Sequence, residues 1–330
     1  MPDDSMATRT VLVTGVGAII GYGVVRSLKK SRRAVRIVGM DIYPDAVGQI
    51  WCDAFDVATP AADPGYVGFL TDLIRKHQID LVIPAIEQDV RRMSCERRDL
   101  ERTGARFALN NPELIELAHD KWAMHRWLND AGLAAIPAAI DGTFGDLAER
   151  FGLPFIVKPR RGYASKGLVR VETEADYRYW RSKLNDEFMA QQLVGDDQHE
   201  FTVGAFGLGD GTVIGKIILR RTLARDGSTA KAWVCALPDL ETLVDRLARK
   251  FRPVGPTNFQ FRRHRDAYVL LEINPRVSSS TSFRTAFGSN DAEMCIEYFL
   301  EGRTPAPPAV RPGFAARYIE DVVTFDRDRF

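Results

Sequence analysis

Along the first third of the chain, short apolar runs closed by a glycine or an acid alternate with segments whose apolar residues recur every three to four positions. VLVTG (11–15), RIVGMD (36–41), LVIPAI (81–86) and ARFAL (105–109) are continuous enough to be strands buried on both faces. Between them, GYGVVRSLKK (21–30) and GYVGFLTDLIRKHQ (65–78) have helical spacing. Strand and helix in alternation predict a doubly wound parallel sheet, an α/β domain over residues 1 to about 112.

The pattern then changes. NPELIELAHDKWAMHRWLNDAGL (111–133) is helical up to Gly132 and breaks into two helices near His119–Asp120. PFIVKP (154–159) and LVRVE (168–172) read as strands on either side of the loop RRGYASKG, and EADYRYWRSKL (174–184) as a helix. FMAQQLV, EFTVGAFGL, TVIGKIIL, AKAWVCAL and AYVLLEIN follow as strands of an antiparallel-rich sheet. Asn290 to Gly302 is expected to be a helix, TPAPPAVRPG (304–313) a proline-rich connection, and ARYIEDVVTF (316–325) a last strand. The plan is α/β followed by α+β, split into residues 1–112 and 113–330, without internal repeats.

Composition narrows the class. With 330 residues, 45% hydrophobic and 27% charged, the chain is a globular protein with a sizeable core. A formal net charge of +1 supplies no overall field for nucleic acid or an anionic membrane, so neither is expected as a partner. No apolar stretch approaches the ~20 residues needed to span a bilayer. The opening MPDDSMATRT lacks the basic-then-apolar plan of a signal peptide. Cys52, Cys95, Cys235 and Cys295 are scattered, without zinc spacing, as reduced thiols of a cytoplasmic protein would be.

TGVGAIIGYG places glycines at 15, 17, 21 and 23, and Asp41 ends the second strand. A dinucleotide fingerprint wants glycine where Ile20 stands. Two readings follow: a tight strand-to-helix turn with close packing, or a nicotinamide dinucleotide site with Asp41 on the ribose.

The chemistry concentrates further on. The loop in PFIVKPRRGYASKGLVRV carries Lys158, Arg160, Arg161, Gly162, Ser165, Lys166 and Gly167, a set able to fold over polyphosphate. It leads into a strand and lacks the order of a Walker A loop. In YVLLEINPRVSSSTSF (268–283), strand alternation puts Glu272, Asn274 and Arg276 on one face and Ile273 on the other. TNFQF brings Gln260 onto the facing strand of a hairpin. A carboxylate with two amides offers the oxygen ligands that Mg²⁺ accepts, and Arg276 adds a rigid donor fork for phosphate. The plainer reading is a Glu272–Arg276 ion pair at a strand end.

LLEINPRVSSSTSF, with Gln260 ahead of it, resembles the Glu-x-Asn-Pro-Arg signature of the ATP-grasp superfamily, specifically of proteins like the large subunit of carbamoyl-phosphate synthase. The likeness extends over nearly the whole chain: a pre-ATP-grasp domain, then a lid (roughly 121–190) and a core (191–330). It implies ATP and Mg²⁺ (or Mn²⁺), with the metal on Gln260, Glu272 and Asn274 and the transferring phosphoryl group supported by Arg276. It further implies nucleotide contacts from Lys121, Lys158, Ser165 of the lid loop, Gln192 and Val194 of the hinge, and Glu200 on the ribose. LRRTLARDGSTAKAWV looks like a basic loop of the subfamily, with Arg220, Arg221, Arg225 and Lys231 near triphosphate or acceptor. The sequence departs from relatives at Ala164, at Gln191–Gln192 where a Glu is common, and at Ser228. Nothing resembles a glutaminase domain or a second synthetase half.

The resemblance implies a carboxylate–amine ligase that works through an acyl phosphate on small molecules and releases ADP and phosphate. Glu87 and Asp89 after LVIPAI, the Ser278–Ser282 run and Arg284 are candidates for the acid and amine, whose identities the sequence leaves open. A homodimer is compatible with this reading. Three alternatives stand beside it: a small-molecule kinase, an inactive ATP-binding module, and an oxidoreductase built on the N-terminal glycines.

Overall fold

The computed structural model describes residues 8–162 and 167–323. Strands β1 (Arg9–Thr14), β2 (Val35–Asp41), β3 (Ala54–Val57), β4 (Leu81–Ile83) and β5 (Arg106–Phe107) form a parallel sheet in the order β3-β2-β1-β4-β5. Leu12 pairs with Val38 on one side and Val82 on the other, and all three are fully buried, as their uninterrupted apolar runs require. Helices α1 (Ile19–Leu28), α2 (Tyr66–His77), α3 (Glu87–Cys95) and α4 (Arg97–Glu101) join the strands. The strand order reverses between β1 and β4, which opens a crevice where the β4–α3 connection leaves the sheet. β3 is an extra edge strand; its sequence, AFDV, is too short and too exposed to show an apolar run.

The glycine-rich turn is filled by the protein itself. A Cβ on Gly21 would lie 2.0 Å from the Gly15 carbonyl oxygen, and one on Gly48 2.0 Å from that of Val16. Asp41 accepts the amides of Gly17 (2.8 Å) and Tyr43 (3.1 Å). Its carboxylate is spent on the turn, which removes the ribose contact that the dinucleotide reading needs.

Two helices, α5 (Pro112–His119) and α6 (Lys121–Asp130), meet at Asp120, where the sequence places the break. Asp120 caps α6 by accepting from the amides of Trp122 and Ala123. A four-stranded antiparallel sheet follows, with β6 (Ala138–Ala139), β7 (Phe155–Pro159), β8 (Val169–Val171) and β9 (Phe188–Gln191) in the order β6-β9-β7-β8. Helices α7 (Phe144–Phe151) and α8 (Glu174–Leu184), each opened by a Thr/Asp capping box, give it a core of its own around Phe155, Phe188 and Tyr177.

The largest sheet has the order β14-β13-β10-β11-β12-β15 and is antiparallel throughout. Its strands are β10 (Glu200–Leu208), β11 (Val213–Leu223), β12 (Thr229–Cys235), β13 (Val254–His264), β14 (Ala267–Asn274) and β15 (Phe314–Ala316). Between β12 and β13 runs α9 (Pro238–Phe251), a helix the strand-rich pattern hides, with Leu240, Val244, Leu247 and Phe251 buried on one stripe. The chain closes with α10 (Thr281–Ala286) and α11 (Asp291–Cys295), the latter widening into a π turn over Ile296–Leu300 where a plain helix to Gly302 is expected. The last strand expected over 316–325 does not form there: the strand that pairs with β12 is Phe314–Ala316, residues 317–323 are irregular, and 324–325 lie outside the described residues. No helix among the described residues is long and apolar enough to cross a membrane.

One hydrophobic cluster joins the parallel sheet to the large one, since Val11, Val24 and Leu81 pack with Phe206, Val277, Ala292 and Ile296. Arg33, following α1, staples the same boundary by pairing with Glu293 (3.0 Å), Glu297 (2.9 Å) and Glu301 (2.7 Å). The Arg33 hydrogen bonds hold Glu301 down to about 2. A depressed carboxyl contributes stability above its ordinary range and loses it as pH falls through the folded value. Arg33→Ala is therefore expected to lower Tm at neutral pH, and the deficit should narrow as pH drops below about 4. Melting curves over a pH series check this; a deficit independent of pH would refute it.

Candidate functional site

Residues directly opposed in an antiparallel pair point to the same side. In the β13–β14 hairpin Gln260 faces Glu272 and Asn258 faces Asn274, so four polar side chains share one face. On β10, Thr202 lies beside Gln260 and Gly204 beside Asn258. The alternate residues Phe259, Phe261 and Ile273 turn into the apolar core on the other side. A register shift between Gln260 and Phe261 leaves Leu271 extra on β14.

Arg276 does not pair with Glu272. It donates to the Asn274 side-chain oxygen (3.0 Å) and the Val277 carbonyl (2.8 Å), which rules out the plain ion-pair reading. Burial lowers its pKa, against the attraction of Glu87 and Glu272. Glu272 accepts no hydrogen bond among the described residues, and it lines the two cavities described below. Opposite it, Lys158 on β7 donates to Gln191 (2.7 Å). Burial, reinforced by the nearby Lys121 charge and opposed by Glu272, pushes the Lys158 ammonium down to about 8. Lys121 Nζ donates to the Gly162 carbonyl (3.0 Å), and Asp120 pairs with Arg160 (2.6 Å), so the start of α6 is bolted to the end of β7.

Two cavities meet here. The first is lined by apolar side chains including Ala135, Ile136, Leu270 and Leu271 and by the polar Lys121, His125, Lys158, Gln191 and Glu272. The second reaches toward the parallel sheet and is lined by Glu87, Arg91, His119, Asn274 and Arg276. Lys121 and Glu272 line both, at the junction. An apolar lining joined by lysine ammonium groups suits a planar base and its phosphates.

Other expected residues fall around this centre unevenly. The Gln192 amide donates to the Pro137 carbonyl (2.9 Å), and Val194 is buried. Glu200 accepts from Arg221 Nε (3.1 Å) and Nη2 (2.7 Å) on one oxygen and from Arg262 Nε (3.0 Å) and Nη2 (2.9 Å) on the other. All four of its acceptor sites are filled, so a ribose could be bound only by displacing an arginine. Arg221 Nη2 also reaches the Gln260 side-chain oxygen at 2.7 Å, tying it to β11 beneath the polar face. Arg284 is buried against Gly204, where an added Cβ would sit 1.5 Å from its Nη1, and it pairs with Asp291 (2.7 Å). Asp89 is buried and accepts from the Tyr66 hydroxyl (2.9 Å). Lys231 and Arg225 are exposed and line neither cavity, while Arg220 lies over the Trp233 ring. Ser165 and Lys166 lie outside the described residues.

His119, Arg91 and Asn258 escape the sequence reading. The one signal for His119 is its place at the helix break beside Asp120–Lys121.

No group of three His, Cys, Asp or Glu occurs among the described residues in a metal-holding arrangement. One free carboxylate flanked by two amide oxygens nonetheless fits a hard divalent cation that shares its remaining positions with phosphate oxygens.

Residues 188–322 match the family model described as ATP-grasp in the biosynthetic pathway with Ter operon, and residues 11–108 match the PylC-like N-terminal domain. The carbamoyl phosphate synthase large chain of Rubrobacter xylanophilus is 27% identical over 262 residues, 71% of this chain and 24% of that one. That of Xylella fastidiosa is 28% identical over 209 residues, 56% of this chain and 19% of that one. The chain thus spans about a quarter or less of the length of these relatives. Among solved structures, N5-carboxyaminoimidazole synthetase from Staphylococcus aureus with ADP superposes with a TM-score of 0.74 at 18% identity, covering 93% of this chain and 81% of that one. L-amino acid ligase from Bacillus licheniformis gives 0.69 at 14% identity, covering 93% and 78%. The larger part of the chain thus matches an ATP-grasp model over residues 188–322 and resembles the unit found in carbamoyl phosphate synthase large chains, and the parallel-sheet part matches a PylC-like N-terminal domain.

Proposed function

We propose that this chain is an ATP- and Mg²⁺-dependent (or Mn²⁺-dependent) carboxylate–amine ligase of small molecules, working in the cytoplasm and forming ADP and phosphate through an acyl phosphate. In this reading residues 1–112 form the pre-ATP-grasp domain and 113–330 the ATP-grasp domain. The observation that carries it is the meeting of the two cavities on Lys121 and Glu272, with Arg276 and Asn274 on the far side. The first cavity takes the nucleotide with its phosphates against Lys158 and Lys121. The carboxylate substrate enters the second, in line with the terminal phosphate. Gln260, Glu272 and Asn274 would hold Mg²⁺, which when bound neutralises charge on the transferring group. Arg276 is already fixed by Asn274 and Val277, so its guanidinium stabilises that charge without reorganising. Enclosure between the small antiparallel sheet and β14 protects the acyl phosphate from water. Glu200 would serve the ribose only by releasing one of its arginines; otherwise it anchors Arg221 and, through it, Gln260.

The test is ADP release over a panel of carboxylic acids and amines, with hydroxylamine added to trap acyl phosphate as hydroxamate. A ligase gives hydroxamate and, with the right amine, an amide; a kinase gives a stable phosphorylated product. Absence of ADP release with every acid would overturn the reading.

Lys158 supplies a second check. Its value of about 8 in the free protein should rise when phosphates arrive, so nucleotide affinity is fully present below about 8 and weakens as pH climbs above it. Calorimetry in buffers of different ionisation enthalpy is expected to show proton uptake on ATP binding near pH 8.5, abolished in Lys158→Met. Equal uptake in wild type and variant would contradict the assignment.

A further inference from the structure

We propose that His119, oriented by Glu87, is the base that deprotonates the attacking amine, which makes the second cavity an amine-acceptor site as well as an acid site. The proposal rests on the ligase reading above. His119 ends α5 and Glu87 begins α3, and both line the second cavity with Asn274 and Arg276 across from them. His119 Nδ1 lies 3.4 Å from Glu87 Oε1, so a proton on Nδ1 points to the carboxylate and leaves the Nε2 lone pair free. Nε2 makes no hydrogen bond to a described residue. Both side chains are partly exposed, at 19% and 24%, as a pair that must meet a diffusing substrate should be.

The placement follows from the topology. Glu87 stands just beyond the carboxyl end of β4, beside the reversal of strand order between β1 and β4, where open α/β sheets bind ligands. The break at Asp120 points His119 to that crevice while Lys121, two residues on, serves the phosphate junction. One helix break therefore sets the base and the phosphate-binding cation on the same cavity. The charged groups facing His119 are Glu87 and Arg91 on α3, Lys121 on α6, and Glu272 and Arg276 from the β14 end. Asp120 is occupied by Arg160 and the α6 cap.

The amine nitrogen attacks the acyl carbon and the C–N bond forms. The bond from that carbon to the phosphate oxygen breaks, and its electron pair leaves with phosphate. The amine N–H proton passes to His119 Nε2 and then to the departing phosphate, which leaves as hydrogen phosphate. Glu87 is a positioning residue: it holds the tautomer and steadies the imidazolium between the two transfers.

The experiment compares amide with hydroxamate on the same active acid. Hydroxylamine attacks acyl phosphates without help, whereas ammonia, methylamine and amino acids gain from a base. His119→Gln is expected to lower the ratio of amide to hydroxamate by about 10²-fold or more, the range of a lost general base. Glu87→Gln should lower it by about tenfold. A histidine base must be neutral to act, so the wild-type amide rate should fall on the acid side, and His119→Gln should lose that limb. Melting curves establish that the variants fold; if His119→Gln does not, the ratio and pH profile of Glu87→Gln decide. An unchanged ratio with the acid limb intact overturns the proposal while leaving the ligase reading standing. So does a parallel loss of hydroxamate and amide, or a wild type that makes hydroxamate but no amide with any of these amines. Absence of hydroxamate with every acid overturns both.

Discussion

Glu272→Gln is expected to lower Mg²⁺-dependent ADP formation by about 10³-fold or more while leaving the protein folded. Among the described residues Glu272 is the only acid lining the first cavity, and it stands at its junction with the second. The substitution keeps shape and removes the one carboxylate of the proposed metal set, leaving Gln260 and Asn274 as neutral oxygens that already accept from Arg221 and Arg276. Loss of several kcal/mol of charge stabilisation corresponds to three or more decades in rate. Stability should change little, because the Glu272 carboxylate accepts no hydrogen bond among the described residues. The same variant should depress Lys158 further, since Glu272 is what opposes the lowering by burial and by Lys121. Melting curves, ADP release and the pH dependence of nucleotide binding measure these three consequences separately. Undiminished ADP release from folded Glu272→Gln would sink the metal assignment.

What the sequence made legible follows from how local each signal is. β14 and its polar face could be read because strand alternation and a run of polar residues at every second position coincide within eight residues. The parallel sheet was visible because β1, β2 and β4 are buried on both faces and so uniformly apolar. β3 was not, being a half-exposed edge strand, and α9 was obscured by the strands on either side despite its clear apolar stripe. Side-chain pairing across strands was beyond reach. Arg221 belonged, by motif, to a loop near the acceptor, yet its guanidinium is held by Glu200, 21 residues away, and by Gln260, 39 away. The register of three strands decides that, and no single segment encodes it. His119 was missed for the same reason, since its partner Glu87 comes from another helix.

Arg221→Met is expected to destabilise the fold by about 3–5 kcal/mol, the usual cost of removing one partner of a buried ion pair. Both side chains are 5% exposed. The variant strips two of the four hydrogen bonds to Glu200 and the guanidinium that holds the Gln260 oxygen. Arg262 remains, but it is shared with the exposed Asp197, so the buried carboxylate is left undercompensated. In a chain of this size the loss amounts to a fall in Tm of roughly 4–7 °C. Adding Glu200→Gln removes the charge that Arg221 neutralised, so the double variant should recover part of the loss, whereas two independent sites would simply add. Denaturant unfolding of the four proteins in this cycle gives the coupling directly. A loss under 1 kcal/mol in Arg221→Met, or strict additivity in the double variant, would show that Glu200 does not depend on Arg221. A large coupling would mean that the sheet beneath the proposed metal face is organised by a buried ion pair, and that the position of Gln260 is set by it.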